Sequence, residues 1–202
     1  MYLSEITLRV NENIEIHHLL RKSFAKEEGS LNRPFLFRAL PRMDGQKSVT
    51  ILSDSRPADM LSGLRISKLE NPEKGMHYIF SIVCSPTKQA GDNKKPQILP
   101  LCEGHAVKQW LQRKLESAAI LNFCKCNLTY PTHFSVNGQK GIINTAVVTG
   151  MLRCEDPGKL SSLMLSGIGR GKSFGCGLLL LYEALVKFQP EPEDEDNGTI
   201  RQ

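Results

Sequence analysis

Features typical of membrane-spanning and secreted proteins are missing from this 202-residue sequence. The longest apolar run covers residues 178–182, whereas a membrane-spanning helix needs about 20 apolar residues. The first residues do not join a basic segment to an apolar core, as a signal peptide does. We therefore expect a cytoplasmic protein that makes no contact with a membrane.

Motifs that bind metal ions are also scarce. The six cysteines include no CxxC pair, and the closest two are Cys124 and Cys126. The acidic residues are scattered, and no H-E-x-x-H motif is present. Because no secretory signal is found, the thiols are expected to be reduced. We predict no zinc site, no other metal site and no cofactor.

Positive charge is concentrated in the body of the chain. The formal net charge is +5, but residues 189–202 hold five acids and one base, so that 25 basic and 16 acidic residues remain elsewhere. This body charge of +9 favours a polyanionic partner, because each phosphate that a basic side chain neutralises releases counterions. The acidic tail at 189–202 is expected to be disordered.

Hydrophobic periodicity predicts a first unit of strands and helices. Alternation predicts a strand over residues 2–10. Apolar residues spaced three and four apart predict a helix that Asn11 or Asn13 caps and that runs to about Lys26. Three short strands and one short helix follow, at 35–37, 48–52 and 78–83 and within 57–70. The order β-α-β-β-α-β is that of one ferredoxin-like unit.

The remainder of the chain repeats most of this order. A polar segment at 86–97 is predicted to be a linker or basic loop. After it come a helix, two strands joined by a turn at Asn137-Gly138, a helix and a last strand, at about 103–119, 123–136, 142–150, 158–165 and 178–186. The sequence thus predicts an α+β protein of two tandem ferredoxin-like (RRM-like) domains with antiparallel sheets, at 1–85 and 98–188, packed side by side with a basic cleft.

A glycine-rich loop at 167–177 is the most distinctive stretch. It holds five glycines with Arg170 and Lys172, and closely spaced glycines let a backbone bring its N–H groups to phosphate oxygens. A nucleotide-binding P-loop does not fit, because Ser166 stands where its first glycine belongs and because the order is helix, loop, strand. Two interpretations remain: a loop that contacts a phosphate backbone, and a tight turn that serves the fold alone.

This loop belongs to a set of motifs with a specific order. With the leucines after it, the loop has the form G-x-G-x-x-K-[SA]-x-G-x-G-L-L, and a W-L-Q-R-K-L helix precedes it at 110–115. Supporting stretches lie at 1–4, 35–37, 80–88 and 141–150. Together they resemble the CasE family, the CRISPR RNA endoribonucleases of the repeat-associated RNA-binding superfamily, over residues 1 to about 185.

The resemblance implies an enzyme and its partners. A protein of this family is a metal-independent endoribonuclease that cuts CRISPR precursor RNA at the 3′ base of the repeat hairpin and leaves a 2′,3′-cyclic phosphate. It then holds the hairpin as a subunit of the Cascade complex, so hairpin RNA and other Cascade subunits are the implied partners, with no nucleotide cofactor. Ser81 and Val83 stand where the family usually carries arginines, which leaves RNA contacts by their strand open.

Histidines on the first predicted helix are the candidates for proton transfer. Histidine suits RNA cleavage without a metal, because its ordinary pKa is about 6.5. One basic face is predicted to be shared by His17, His18, Arg21, Lys22 and Lys26, a pattern that also fits an ordinary solvated face. The family carries its catalytic histidine here in a Y-x-x-H motif, which selects His17. Lys22 and His18 are the further catalytic candidates on this helix. The tyrosine of that motif is replaced by Ile14.

Further RNA contacts are expected from basic residues and from the glycine-rich loop. These candidates, with Arg21, are Lys94, Lys95, Arg113, Lys114, Lys140, Gly169, Arg170, Gly171, Lys172 and Ser173. The replacement at Ile14 keeps a second hypothesis open, a subunit that binds the hairpin without cutting it. A third hypothesis, a nucleotide hydrolase that uses the glycine-rich loop, is disfavoured by the spacing and context of the loop.

Overall fold

Four strands and one helix are found among the described residues of the N-terminal part of the chain. The computed structural model describes residues 1–24, 34–57, 63–90, 97–101, 103–128, 132–136 and 139–184. The first elements are β1 (Tyr2–Leu8), α1 (Asn13–Phe24), β2 (Phe35–Pro41), β3 (Lys47–Ser53) and β4 (Arg65–Lys68). The strands make one antiparallel sheet in the order β2-β3-β1-β4.

Helix α1 covers one face of this sheet with an apolar stripe. Ile16, Leu20 and Phe24 are buried at the spacing of one helical turn. They pack on apolar residues of the strands, namely Ile6, Phe35, Phe37, Val49 and Ile51. Burying a side chain of this size contributes roughly 1.5–3 kcal/mol. The packing therefore fixes which side of α1 remains available to a partner.

Where the structure describes the rest of the chain, it shows a second sheet, two α-helices and two hairpins. Its elements, in chain order, are β5 (His77–Cys84), β6 (Thr87–Ala90), β7 (Gln97–Pro100), α2 (Gly104–Leu115), β8 (Ala119–Leu128), β9 (Thr132–Val136), β10 (Gln139–Ile143), β11 (Ala146–Cys154), α3 (Pro157–Ser166) and β12 (Leu179–Glu183). The second sheet is antiparallel with the order β12-β5-β11-β8, while β6 pairs with β7 and β9 with β10.

A larger core lies between the second sheet and its helices, and it reaches into the first sheet. Trp110 and Leu111 of α2 pack with Phe80 of β5 and with Leu36 and other residues in this cluster. The guanidinium of Arg38 on β2 also donates a hydrogen bond to the hydroxyl of Ser81 on β5, at 2.9 Å. The two sheets are thus joined by apolar packing and by the hydrogen bond from Arg38 to Ser81.

The predicted fold class is confirmed, since the protein is α+β with two ferredoxin-like antiparallel sheets. The assignment of the strand at 78–83 to the first unit is wrong, because β5 pairs with β11 and β12 in the second sheet. Its buried side chains, such as Phe80 and Ile82, belong to the same core as the buried residues of α2 and α3. Alternation shows which face of a strand is buried but not which strand is its neighbour.

Two other segments differ from their predictions. Within 57–70, where a short helix was expected, Arg65–Lys68 is the edge strand β4 and pairs with β1. Within the expected linker at 86–97, Thr87–Ala90 pairs with Gln97–Pro100 as a hairpin. Residues 58–62 and 91–96, the turn at 137–138 and the tail at 189–202 lie outside the described residues.

The division of the chain into domains at 1–85 and 98–188 stays a prediction. The change from one sheet to the other falls between β4 and β5, that is, between Lys68 and His77. No helix in the described part of the chain is both long and apolar enough to cross a membrane.

Candidate nucleic-acid interface

The basic residues of helix α1 lie in two places, one at the edge of the core and the others on the exposed side of the helix. His17 is half-buried, and its ring centroid lies 5.9 Å from that of Phe35 on β2. His18, Arg21 and Lys22 are exposed. Because a helix turns about 100° per residue, Arg21 lies about 40° from His17 around the axis, and Lys22 about 140°. His17 is therefore at the border between the core and the exposed basic side, not within a fully solvated face.

The exposed residues of α1 also have a simpler explanation. Arg21 and Lys22 occupy the last turn of the helix, where positive charge is favourable because the carbonyl groups point outward there. His18 contacts His17 edge to face, with ring centroids 5.8 Å apart. Their placement is compatible with phosphate binding but does not require it. Lys26 lies outside the described residues.

A hydrogen bond joins the start of α1 to the glycine-rich loop. The side-chain amide of Asn13 donates to the carbonyl oxygen of Phe174 at 2.9 Å. Phe174 ends a 3-10 turn, Lys172–Phe174, inside the loop. His17 lies one helical turn beyond Asn13 on a neighbouring side of the helix. The structure thus brings the helix of the candidate histidine beside the loop of the candidate phosphate contacts, although they are far apart in sequence.

The glycine-rich loop has a backbone that only glycine adopts easily. All five of its glycines have positive φ, between 76° at Gly167 and 91° at Gly177. At Gly169, a Cβ would lie 2.9 Å from two atoms of the Trp110 indole, and at Gly167 it would lie 2.8 Å from Leu36. The glycines therefore serve the fold directly, by permitting both the turns and the close packing.

Several N–H groups of this loop already bond within the protein. Those of Ile168, Phe174, Gly175, Cys176 and Gly177 donate to backbone carbonyl oxygens. These five N–H groups are therefore not available to a phosphate. If the loop binds RNA through its backbone, its other N–H groups must make the contacts. The side chain of Arg170 is exposed, whereas Gly169, Gly171, Lys172 and Ser173 are partly buried. Among these loop residues, Arg170 is therefore the one most accessible to a polyanion.

Three other predicted RNA contacts lie on other elements of the fold. Arg113 and Lys114 are exposed in the last turn of α2. Lys114 also lines an open cavity of about 580 Å³ between α2 and α3, whose lining includes Lys159 and Ser166. Lys140 lies on strand β10. Lys94 and Lys95 are outside the described residues.

Sequence reasoning missed the role of Asn13 and missed Lys47 altogether. The ammonium of Lys47 donates to Asn13 Oδ1 at 2.9 Å and to the carbonyl oxygen of Asn11 at 2.8 Å. Partial burial lowers the pKa of Lys47, and the nearby carboxylates of Glu15 and Glu12 act in the opposite direction. Asn13 was considered only as a helix cap, and no local pattern indicates a bond to a residue so distant in sequence.

Cysteine and metal chemistry gain no support from the described residues. Among them, no group of three or more histidine, cysteine, aspartate or glutamate side chains could hold a metal ion. Burial raises the pKa of the Cys84 thiol far above its ordinary range and that of Cys176 to about 12. Both thiols are therefore protonated at neutral pH, and a protonated thiol is a poor nucleophile.

Comparisons with known proteins agree on one family. A family model described as CRISPR associated protein matches residues 1–182. The CRISPR system Cascade subunit CasE of Escherichia coli (strain K12) is 28% identical to this chain over 197 residues, which cover 90% of this chain and 98% of that protein.

Two solved structures extend this agreement to the fold. The crystal structure of the CRISPR-associated protein Cas6e from Escherichia coli str. K-12 is 27% identical, with a TM-score of 0.75 over 91% of this chain and 100% of that one. The structure of Thermus thermophilus Cse3 bound to an RNA representing a pre-cleavage complex is 18% identical, with a TM-score of 0.72 over 90% of this chain and 98% of that one. Because the family model matches nearly the whole chain, the protein belongs to the CRISPR associated protein family.

Proposed function

We propose that this protein is a metal-independent endoribonuclease that cuts CRISPR precursor RNA at the 3′ base of the repeat hairpin. We further propose that it stays bound to the hairpin as a subunit of the Cascade complex. The observation that carries the proposal is the bond between Asn13 and Phe174. It places a helix with two histidines beside a loop with two basic residues. The Cascade subunit CasE and Cas6e, which this chain resembles, support the same assignment.

The proposed reaction needs two proton transfers. The 2′-hydroxyl loses its proton as its oxygen attacks the adjacent phosphorus. The bond from phosphorus to the 5′-oxygen then breaks, and that oxygen takes up a proton. The products are a 2′,3′-cyclic phosphate and a 5′-hydroxyl, and the balance of atoms requires neither water nor a metal ion. A histidine is suited to either proton transfer near neutral pH.

His17 is the favoured histidine because its surroundings restrain it. Its ring packs against Phe35 at a centroid distance of 5.9 Å, whereas His18 is exposed. A catalytic group is more effective when its orientation is set before the substrate binds. In this proposal His17 transfers a proton, His18 or Lys22 supplies the second catalytic group, and Arg21 binds the phosphate.

Hairpin binding would rest on many phosphate contacts. Lys172 of the glycine-rich loop begins the 3-10 turn whose Phe174 is hydrogen-bonded to α1, and Arg170 lies two residues before Lys172. Arg113 and Lys114, together with Lys140, Lys94 and Lys95, would extend the contact along the RNA, as would the backbone at Gly169, Gly171 and Ser173. A body charge of +9 supports this distribution, because sequence-independent affinity for RNA grows with each neutralised phosphate.

A second candidate function is favoured by one residue. Ile14 replaces the tyrosine of the family motif and is half-buried one turn before His17. An isoleucine cannot orient a phosphate or assist a proton transfer. A subunit that holds the hairpin without cutting it would keep the basic surface and would tolerate this change.

One experiment separates the two functions. The purified protein is mixed in excess with an RNA hairpin transcribed from the CRISPR repeat of the same genome, in the presence of EDTA. We expect a single cut at the 3′ base of the stem and a cyclic phosphate at the new 3′ end. A matched RNA with a 2′-deoxy nucleotide just upstream of the cut should bind equally well and remain intact. Tight binding of both RNAs without cleavage would instead establish the binding subunit.

A further inference from the structure

The side chain of Asn13 has one orientation that satisfies both of its partners. The ammonium of Lys47 can only donate a hydrogen bond, and the carbonyl oxygen of Phe174 can only accept one. Asn13 therefore turns its oxygen to Lys47 and its nitrogen to Phe174, at 2.9 Å in each case. An aspartate of the same shape would keep the first contact and would face the Phe174 carbonyl with an acceptor. The site is thus specific for an amide.

The loop is shaped to receive this amide. Gly171 and Gly175 flank the turn Lys172–Phe174 and both adopt left-handed backbone conformations, with φ of 78° and 85°. A Cβ at Gly175 would lie 3.4 Å from the Asn13 nitrogen and 3.3 Å from the ring of Phe37. A side chain there would press on Asn13, so the glycine permits the close approach of loop and helix.

The hydrogen bond from Asn13 to Phe174 also sets the position of His17 relative to the glycine-rich loop. Along the helix, His17 is about 6 Å beyond Asn13, since each residue rises about 1.5 Å. Along the loop, Lys172 and Ser173 directly precede Phe174. Helix α1 packs on its sheet through its buried stripe, and the loop packs against Trp110 and Leu36. The hydrogen bond from Asn13 to Phe174 links the helix to the loop.

We propose that Asn13 is a positioning residue, which with Lys47 sets the distance between His17 and the glycine-rich loop so that both meet the same stretch of RNA backbone. This inference rests on the proposed ribonuclease function. Asn13 itself does not touch the reacting atoms. Catalysis is sensitive to such placement, because a shift of about 1 Å can cost about 100-fold in rate. Binding depends on many charges and is far less sensitive.

Three variants test the proposal. Asn13→Ala removes both bonds, and Asn13→Asp keeps the contact to Lys47 while losing the donor to Phe174. Asn11→Ala is the matched control, because Asn11 lies in the same segment and meets Lys47 only through its backbone carbonyl. Each variant is compared with the wild type in single-turnover cleavage and binding of the repeat hairpin, in thermal unfolding, and in hydrogen exchange of the loop.

The expected result is a loss of rate without an equal loss of binding. Asn13→Ala and Asn13→Asp should lower the single-turnover rate constant by about 10- to 100-fold and change the hairpin Kd by less than about threefold. Thermal unfolding should show both variants folded at the assay temperature, so that the loss of rate does not come from unfolded protein. The amides of Phe174, Gly175 and Cys176, which bond within the loop, should exchange faster in both variants. Asn11→Ala should behave as the wild type in every measurement.

The outcomes distinguish this inference from the proposed function. Wild-type rates in both Asn13 variants would overturn the positioning role while leaving the ribonuclease function intact. Equal losses of rate and of affinity would also overturn it, because Asn13 would then serve binding. If the wild type binds the hairpin and does not cut it, the ribonuclease function fails. Hydrogen exchange of the loop then tests the link between helix and loop on its own. Faster exchange in the Asn13 variants would support the link between helix and loop, and unchanged exchange would refute it.

Discussion

The Cα of Gly169 lies directly against the indole ring of Trp110. A Cβ added to Gly169 would come within 2.9 Å of two ring atoms, which is closer than real Cβ atoms approach their neighbours. Gly169 also has φ of 81°, where side chains other than hydrogen are strained. The glycine-rich loop and the W-L-Q-R-K-L helix are the two most specific motifs of the sequence, and they therefore pack against each other.

This contact predicts that Gly169→Ala displaces the loop. The left-handed backbone alone costs about 1–2 kcal/mol for alanine, and the indole must shift as well. We expect a fall of about 2–3 kcal/mol in the free energy of unfolding, measured by denaturant titration, together with weaker hairpin binding. Gly158→Ala is the control, because its Cβ would meet only ordinary contact at 3.5 Å within α3. If Gly169→Ala is as stable as the wild type, the loop does not pack tightly against Trp110.

The basic side chains of the loop should bind phosphate and not ATP. Arg170→Ala and Lys172→Ala should each weaken hairpin binding and reduce the slope of log Kd against log salt by about one. Lys74→Ala provides the control, since Lys74 is an exposed residue outside the candidate interface. Binding isotherms at four or more salt concentrations measure the slope. If both loop variants bind as the wild type does, the loop is a structural turn alone.

The two histidines of α1 should differ strongly in their effect on cleavage. General acid–base catalysis is worth about 100- to 10,000-fold in rate, so His17→Ala should remove most cleavage. Its hairpin Kd should stay within a few fold of the wild type, because affinity rests on other groups. His18→Ala, on the exposed side of the helix, should lose less. A dead His18→Ala beside an active His17→Ala would move the catalytic role by one residue.

Periodicity predicted most elements of the fold but not the partners of every strand. The stripe Ile16, Leu20 and Phe24 was visible in the sequence because a helix repeats every 3.6 residues. Arg65–Lys68 was missed because a short edge strand carries little apolar pattern, and its one apolar residue is Ile66. The pairing of β5 with β11 depends on complementary core surfaces that are formed by distant segments, which no local window contains.

The candidate site shows the same limit. The family motif selects His17 from the sequence, but its half-buried position beside Phe35 depends on packing between α1 and β2. The bond from Asn13 to Phe174 joins residues 161 positions apart. Helix capping, a local property, was the only role for Asn13 that sequence reasoning offered. Long-range hydrogen bonds of single side chains leave no such local signal.

Buried thiols should make the protein less stable in alkali. Burial raises the pKa of Cys176 from 9.0 to about 12, so above pH 9 the unfolded chain releases a proton that the folded chain retains. The free energy of unfolding should then fall by about 1.4 kcal/mol per pH unit for each such thiol. Denaturant titrations between pH 8 and 11 measure this slope. Cys176→Ala should show a shallower decline than the wild type, and identical slopes would contradict the burial of this thiol.

Restoring the family tyrosine tests whether Ile14 limits the rate of hairpin cleavage. Ile14 lies one turn before His17, about 60° around the helix axis, and is only partly buried, so a larger side chain can extend toward solvent. In Ile14→Tyr the phenol can orient a phosphate or share in proton transfer, and we expect the single-turnover rate to rise by about 10-fold or more. Ile14→Phe is the matched control, because it has the same ring without the hydroxyl and should leave the rate unchanged. If both variants accelerate cleavage equally, packing at this position and not the hydroxyl limits the reaction. If neither variant cuts although both bind the hairpin, the absent tyrosine is not what separates this chain from an active nuclease.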